Sequence, residues 1–387
     1  IHGSGMIESM PTTHVSVSEA QKGYVLACST KVMGDLEVII PEESKLDKSQ
    51  ILVGNIPQFS GSLAAATSKA KHFKQDPLVN KIYLELPQPS LDDSVADYER
   101  LCQGIMVKTG IPLEKLTANI SVLKHLPKLL RESKWMVTVT LGHHHSFVEI
   151  LEVQLGDVSA DNYGVAVDVG TTTVVAHLLD LSKSETVDIE ATYNSQIKYG
   201  DDYIQRIIYA EQNDAMEVMQ EGITEDINQL ISTLIKRNNL GIHVINAVVC
   251  AGNTVMTHFL LGLDPTNIRR EPYLSSANLV PPIRASEVGI KINNHGLLYT
   301  LPSVGAYVGG DISSGVLAVR QDEAEVLSLL IDIGTNGEVV LGSKDWMVCC
   351  SASAGPSFEG SGISCGMRAA KGAIEKVSIA GNFDVVC

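Results

Sequence analysis

The most constraining feature of this sequence is a short motif that occurs twice. One apolar run leads into Asp168-Val169-Gly170-Thr171-Thr172, and another leads into Asp332-Ile333-Gly334-Thr335-Asn336. Each copy returns to Val-Val within two further residues, a pattern typical of a strand, a tight turn and a second strand. The copies lie too far apart for a solenoid of short repeats, so the sequence predicts two similar lobes in one chain.

The repeated turn has the residues that phosphate binding requires. Gly170 and Gly334 lack a Cβ atom, so the main chain can approach a ligand closely at both positions. Asp168 and Asp332 would repel a polyanion unless a cation lay between them, and Mg²⁺ with its own waters is the usual cation. We therefore expect both aspartates to be catalytic and to hold Mg²⁺ through water. Backbone N–H groups and hydroxyls would form the anion-binding concavity, at residues Thr171, Thr172, Thr173, Thr335 and Asn336.

A single Asp-x-Gly-Thr is also typical of an ordinary hairpin, because Asp, Gly and Thr are common turn residues. Two copies that face each other are harder to explain as turns alone. No Gly-x4-Gly-Lys-[Ser/Thr] occurs in the sequence, which excludes a P-loop, and residues 305–310 fall short of a dinucleotide fingerprint.

Two glycine-rich segments flank the second copy. Gly309-Gly310-Asp311 opens a helix, with both glycines expected at the cofactor. Asp311 is predicted either to cap that helix or to orient or deprotonate an attacking water, and the two roles are compatible. The loop 354–362 is expected to close over a nucleotide through Gly355, with Glu359 contacting the ribose or a water.

The rest of the chain divides into zones by composition. Residues 1–42 are rich in β-prone stretches, residues 43–76 read as a linker, and residues 77–158 predict an α+β middle domain. Residues 162–387 alternate strands and helices, so the fold class is α/β. The chain begins with Ile and ends in an apparent strand, and we expect further sequence at both ends.

Composition excludes several partners. A net charge of −16 and a pI near 5.1 argue against nucleic acid as a partner. No apolar run reaches the roughly 18 residues that span a bilayer, so no membrane partner is expected.

The seven cysteines are scattered without a regular framework, which is typical of a reducing cytoplasm. Three adjacent histidines at 143–145 could suggest a metal site, but neighbouring strand side chains point to opposite faces and cannot easily bind one ion together. The run therefore predicts a solvated hairpin turn.

Several stretches carry a family resemblance. The paired motifs and the Gly-Gly-Asp helix resemble the sugar kinase/Hsp70/actin superfamily, whose duplicated lobes have a ribonuclease-H-like fold. Within that superfamily the chain resembles the reductive activators of corrinoid proteins. The stretches that carry this closer resemblance are residues 84–91, 194–196, 199–202, Arg206, 252–256, 263–265, 355–360 and 366–375.

The resemblance implies a three-part machine. Such proteins have a [2Fe–2S] ferredoxin domain, a middle domain and an ATPase-like domain, and they use ATP to drive electron transfer that returns a Co(II) corrinoid to Co(I). The implied partner is a corrinoid iron–sulfur protein or the corrinoid subunit of a methyltransferase, in a methyl-transfer pathway. The resemblance is also compatible with a homodimer. ATP and Mg²⁺ are the implied cofactors.

The sequence departs from that family at both ends. A plant-type cluster needs four cysteines, and only Cys28 matches one of the four positions. Residues 1–42 are therefore expected to be the C-terminal remnant of a β-grasp ferredoxin domain, with the cluster only in the full-length protein. The superfamily's adenosine motif is also missing beyond Cys387. Two alternatives remain, a small-molecule kinase of the same superfamily and a non-catalytic nucleotide-gated binding module.

Overall fold

The computed structural model describes residues 7–9, 17–25, 30–35, 37–39, 76–334, 336–353, 378–379 and 385–386. The chain divides into two compact units, residues 1–50 and 51–387. In its described residues the first unit has strand β1 (Ile7–Ser9), helix α1 (Val17–Gln21) and strand β2 (Thr30–Val32), and the two strands pair antiparallel. Cys28 lies outside the described residues, so the ferredoxin interpretation of residues 1–42 stays a prediction.

The second unit opens with an α+β layer. Its elements in chain order are β3 (Val79–Glu85), α2 (Asp97–Thr109), β4 (Leu116–Ala118), α3 (Ile120–Glu132), β5 (Met136–His143) and β6 (Val148–Leu155). The strand order is β3-β5-β6-β4, with β4 parallel to β6 and the other pairs antiparallel. Asn119 starts α3 because its side chain accepts the N–H groups of Ser121 and Val122.

A six-stranded sheet forms the centre of the second unit. Its strands are β7 (Tyr163–Val169), β8 (Thr173–Asp180), β9 (Glu185–Tyr193), β10 (Ile245–Gly252), β11 (Ile283–Arg284) and β12 (Leu297–Thr300). The order is β11-β12-β10-β7-β8-β9, with β10 parallel to both β7 and β12. Strands β7, β8 and β9 form an antiparallel meander, so the β7–β8 turn lies at the same edge as the end of β10.

Helices pack on this sheet and build the main core. They are α4 (Tyr203–Gln212), α5 (Met216–Arg237), α6 (Thr254–Leu261) and α7 (Gly310–Val319). Helix α5 buries one apolar face, including Ile223, Ile227 and Leu234, against β8 and β9. Phe259 of α6 and Val248 of β10 belong to the same fully buried cluster.

A separate antiparallel meander follows α7. It consists of β13 (Ser328–Ile333), β14 (Asn336–Ser343) and β15 (Trp346–Ser353). Two further short strands, β16 (Ser378–Ile379) and β17 (Val385–Val386), pair antiparallel. The β13–β14 hairpin carries the second copy of the repeated motif, as the β7–β8 hairpin carries the first. Strands and helices therefore alternate through 163–353, and the fold is α/β.

The α+β layer contacts the central sheet at a tightly packed point. A Cβ atom at Gly142 would lie 2.8 Å from Leu297 and 2.9 Å from Leu151, so only glycine fits there without displacing both side chains. Close by, the side chain of Asn162 donates to the carbonyl of Val79 at 3.1 Å. The contact therefore combines the smallest residue on β5 with a buried amide just before β7.

We predict that Gly142→Ala destabilises the protein because the added methyl group overpacks this contact. The expected loss is about 1–3 kcal/mol in the free energy of unfolding, measured by denaturant titration. Gly305→Ala is the matched control, since nothing lies within 4 Å of a Cβ atom built at Gly305. Equal stability of the two variants would contradict the packing argument.

Candidate functional site

The first copy of the motif forms the tight turn between β7 and β8. Asp168 lies near the end of β7, opposite Val175 of β8. Gly170 follows at a position where a Cβ atom would lie 2.6 Å from the carbonyl oxygen of Thr173. The turn can close only around glycine, so the requirement for Gly170 is steric.

The carbonyl groups of this turn are held from behind. The side chain of Asn194 donates to the carbonyl of Gly170 at 2.8 Å, and its backbone N–H donates to that of Thr172 at 2.9 Å. Arg206 Nη2 donates to the carbonyl of Thr171 at 2.6 Å. In a planar trans peptide the N–H points away from the C=O. The N–H groups of the turn are therefore directed to the opposite side, where they can form an anion-binding concavity.

The end of β10 closes one side of the turn. The side chain of Asn253 donates to the Thr171 hydroxyl at 3.1 Å and also accepts the N–H of Met256, which starts helix α6. A Cβ atom at Gly309 would lie 2.4 Å from the Cα atom of Asn253. The start of α7 therefore approaches the end of β10 more closely than a side chain would allow, and Asp311 is carried towards the turn.

The structure corrects the capping role predicted for Asp311. The N-cap of α7 is Gly309, and Asp311 lies within the first turn of the helix. Its carboxylate accepts the neighbouring N–H of Ile312 at 2.8 Å rather than the N–H group that an N-cap residue would accept. The expectation was wrong because the glycine before Asp311 occupies the cap position itself. The side chain of Asp311 is therefore not used to begin the helix.

Acidic side chains of both motif copies and of α7 are electrostatically coupled. Burial raises the pKa of Asp168 to about 6, and the carboxylates of Asp311 and Asp332 add to the shift, although one side of Asp168 stays open to solvent. Burial also raises the pKa of Asp311, with a further contribution from Asp332, while the N–H of Ile312 opposes the shift. A carboxylate whose charge raises the pKa of another carboxyl group lies close to it.

Glu338 is a fourth acidic group of this cluster, and sequence reasoning missed it. It lies directly opposite Asp332 in the β13–β14 ladder and opposite Ser351 of β15. Its side chain is 9% exposed, and the Ser351 hydroxyl donates to it at 2.9 Å. Burial raises its pKa, the Ser351 bond opposes this, and the charges of Asp311 and Asp332 increase it. One sequence signal was available, because the first copy has the buried apolar Val174 where the second has Glu338.

The spacing of these carboxylates bears on how they could hold a cation. Within the described ranges, no three His, Cys, Asp or Glu side chains are arranged to bind a metal ion directly. Mg²⁺ binds reluctantly without its waters and is commonly held by one or two carboxylates plus substrate phosphates. An open group of coupled carboxylates beside an anion-binding turn fits a hydrated cation of this kind and does not fit a dehydrated protein cage.

The second turn differs from the first. Gly334 donates its N–H to the carbonyl of Asn336 at 2.9 Å, and a Cβ atom there would meet only that oxygen, at 3.9 Å. Burial raises the pKa of Tyr203, at the start of α4, to about 12, with Tyr307 and Glu338 adding to the shift and a hydrogen bond with the Asn336 side chain opposing it. Asn336 therefore lies near the start of α4. We call the region between the β7–β8 turn, the start of α7 and the β13–β14 hairpin the crevice. Thr335, Gly355, Glu359 and Cys28, all predicted from the sequence, lie outside the described residues.

Comparison with known families identifies the chain. Residues 163–324 match the RACo middle region, residues 326–386 match the C-terminal domain of RACo, the ASKHA domain, and residues 68–160 match the RACo linker region. The chain belongs to the RACo family. The residues 77–158 expected to form a middle domain thus fall in the region that the family calls its linker. None of the described helices is long and apolar enough to cross a membrane.

Known proteins similar to this RACo-family chain are named for corrinoid chemistry. The corrinoid activation enzyme RamQ of Eubacterium limosum is 30% identical over 360 residues, covering 91% of this chain and 56% of RamQ. The [Co(II) methylated amine-specific corrinoid protein] reductase of Methanosarcina barkeri is 28% identical over 232 residues, covering 57% of this chain and 42% of the reductase. A solved reductive activator for corrinoid, iron–sulfur protein is 40% identical with a TM-score of 0.77, covering 99% of this chain and 60% of the solved one. The chain thus spans about half the length of these relatives.

The raised pKa of Asp168 predicts a pH-dependent stability. An Asp whose pKa rises from 3.8 to about 6 on folding destabilises the folded state once it ionises, so stability falls as pH rises between these values. Asp168→Asn removes this penalty. We expect the variant to be more stable than the wild type at pH 7.5 by about 1 kcal/mol, allowing for solvent screening.

Thermal unfolding at pH 4 and pH 7.5 checks this prediction. The advantage of Asp168→Asn should shrink towards pH 4, where the wild-type carboxyl is protonated as well. Asp345→Asn, in the exposed β14–β15 turn, is the matched control and should show no such trend. An advantage independent of pH would contradict the proposed repulsion.

Proposed function

We propose that this RACo-family protein is an ATP-dependent reductive activator that returns a corrinoid protein from Co(II) to Co(I) by one-electron transfer. The observation that carries the proposal is the coupling of Asp168, Asp311 and Asp332 beside a turn whose N–H groups face the same crevice. Carboxylates repel one another there without a ligand, and a Mg²⁺–triphosphate would remove that repulsion. The corrinoid protein is the proposed partner and the cytoplasm the proposed compartment. A homodimer remains an expectation.

In this proposal the residues of the two turns divide the work of binding. The phosphates bind to the backbone of the first turn, at Gly170, Thr171, Thr172 and Thr173. Gly309 and Gly310 let the start of α7 approach the phosphates. Asp168 and Asp332 hold Mg²⁺ through its waters, and that ion neutralises charge on the phosphates. On the opposite side, Gly334, Thr335 and Asn336 would contact the nucleotide, as would Gly355 and Glu359 further along the sequence.

Asp311 is the residue that we propose orients or deprotonates the attacking water. Its carboxylate accepts the backbone N–H of Ile312 at 2.8 Å at the start of α7. A carboxylate held in this way can accept a hydrogen bond from a water aligned with the terminal phosphate. Glu338 lies on the β13–β14 hairpin within electrostatic reach of Asp311. We assign it to the same water network.

ATP would drive electron transfer through a difference in binding. A ligand shifts a conformational equilibrium only if it binds one state more tightly than the other. A nucleotide that contacts both the β7–β8 and the β13–β14 turn favours the state in which these turns are closest. The [2Fe–2S] cluster supplies the electron in this proposal, but a plant-type cluster needs four cysteine ligands and this sequence offers only Cys28 at a matching position. The residues present cannot hold the cluster, and it is proposed for the full-length protein alone.

Asp332→Asn should abolish ATP-stimulated reduction of the corrinoid protein, because the second turn would lose its magnesium ligand. The measurement is the Co(II) to Co(I) absorbance change with and without ATP, in the full-length protein. Asp345→Asn, which removes an exposed carboxylate of the same meander, should retain the stimulation. Undiminished stimulation in Asp332→Asn would contradict the proposal, as would ATP-dependent phosphorylation of a small molecule by the wild type.

The Glu338→Gln variant tests whether Glu338 acts on the attacking water rather than on nucleotide binding. The amide keeps the shape and the bond to Ser351 but loses the charge, so we expect ATP turnover to fall by about tenfold to a hundredfold. ATP affinity should stay within about threefold of the wild type, since no direct phosphate contact is proposed for Glu338. Phosphate release and calorimetric titration measure the two quantities. A loss of affinity equal to the loss of turnover would contradict this assignment.

A further inference from the structure

Arg206 is a buried cation that has no carboxylate partner in the described part of the chain. It lies in the first turn of α4 and is the largest of the fully buried side chains in the described part of the chain. No carboxylate among the described residues forms an ion pair with it. Asp202 and Asp201 act on its pKa only as nearby charges. Taking a charge out of water without pairing it is costly, so a residue kept in this state calls for an explanation.

Among the described residues, the hydrogen bonds of Arg206 lead to neutral atoms. Nη2 donates to the carbonyl of Thr171 at 2.6 Å and Nε donates to that of Gly200 at 3.0 Å. Nη1 lies 3.4 Å from the side-chain oxygen of Gln196 and 3.5 Å from the sulfur of Met256. These acceptors hold the guanidinium plane in place but do not neutralise it. Burial lowers its pKa to about 10, which still leaves it charged at neutral pH.

The charge stands directly behind the first phosphate turn. Arg206 bonds the Thr171 carbonyl on the face that points away from the crevice, and the N–H groups of the turn point to the other face. Asn194 holds the two flanking carbonyls with an amide and a backbone N–H, both neutral. A neutral donor is therefore sufficient to fix the turn, and the positive charge at the middle carbonyl remains to be explained.

We propose that Arg206 is the positioning residue of the first turn, and that the negative charge of the nucleotide's phosphates balances its positive charge. The inference rests on the nucleotide site proposed above and adds a requirement for ligand charge. It assigns Arg206 two effects. The guanidinium fixes the Thr171 peptide, and its charge favours ligands in proportion to their negative charge.

The dependence on ligand charge separates this proposal from a purely structural role. A side chain that only shaped the turn would, when lost, weaken every nucleotide by a similar factor. Loss of a charge that acts through the turn weakens the binding of a triphosphate most and of a monophosphate least when the nucleotides are compared without Mg²⁺, because Coulomb energy scales with the ligand charge. Lysine retains the charge but cannot make all four of these bonds, so it distinguishes the two effects.

The test is calorimetric titration of ATP, ADP and AMP, all without Mg²⁺, into the full-length wild type, Arg206→Met and Arg206→Lys, with MgATP titrated into the wild type as well. We expect Arg206→Met to lose about thirtyfold in affinity for ATP and about fivefold for AMP, because ATP carries about twice the negative charge of AMP. Arg206→Lys should keep the wild-type ratio of ATP to AMP affinity within about threefold. Arg237→Met is the matched control. Arg237 bonds Asp188 and Glu190 on the protein surface and should leave all three affinities unchanged.

Each outcome decides a different question. An equal loss for all three ligands in Arg206→Met, or no loss, would overturn the charge-based role while leaving the nucleotide site intact. Failure of the wild type to bind MgATP would overturn the nucleotide site and this inference with it. If Arg206→Met does not fold, Arg206→Gln takes its place, because glutamine keeps hydrogen-bond donors without the charge. A greater loss for ATP than for AMP in that variant supports the proposal, and an equal loss contradicts it.

Discussion

Repulsion between carboxylates is the constraint on which the rest of this structure depends. Asp168, Asp311, Asp332 and Glu338 come from three separate parts of the chain, and the pKa of Asp168, Asp311 and Glu338 is raised. Packing forces these groups together because the β7–β8 turn, the start of α7 and the β13–β14 hairpin meet at one crevice. An arrangement that destabilises the ligand-free protein is typical of a site whose stability is completed by a bound cation.

The support for this crevice comes from groups that contact no proposed ligand. Asn194 and Arg206 hold the carbonyls of the first turn, and Asn253 both starts α6 and bonds the Thr171 hydroxyl. Gly309 allows α7 to approach the end of β10. The β7–β8 turn, the end of β10 and the helices α6 and α7 are thus connected through side-chain amides and close backbone contacts. A change in the position of α7 relative to the turn would move Asp311 relative to Asp168, which offers a route for coupling nucleotide binding to conformation.

The sequence predicted the repeated hairpins well, since apolar strands around Asp-x-Gly-Thr leave few alternatives and both hairpins form. It could not predict Glu338, because its position is set by strand register, which emerges only when β14 pairs with β13 and β15. The cap predicted at Asp311 was wrong because glycine also caps helices. The two turns are not equivalent either. Gly170 is required by a close carbonyl and Gly334 is not, a difference that the shared motif conceals.

The central claim is that both turns hold one Mg²⁺–nucleotide between them. A crystal structure of the protein with Mg²⁺ and a non-hydrolysable ATP analogue tests this most directly. The account predicts phosphate oxygens at the N–H groups that follow Gly170, with the metal's waters shared between Asp168 and Asp332. A nucleotide bound away from this crevice, or one that contacts only a single turn, would contradict it.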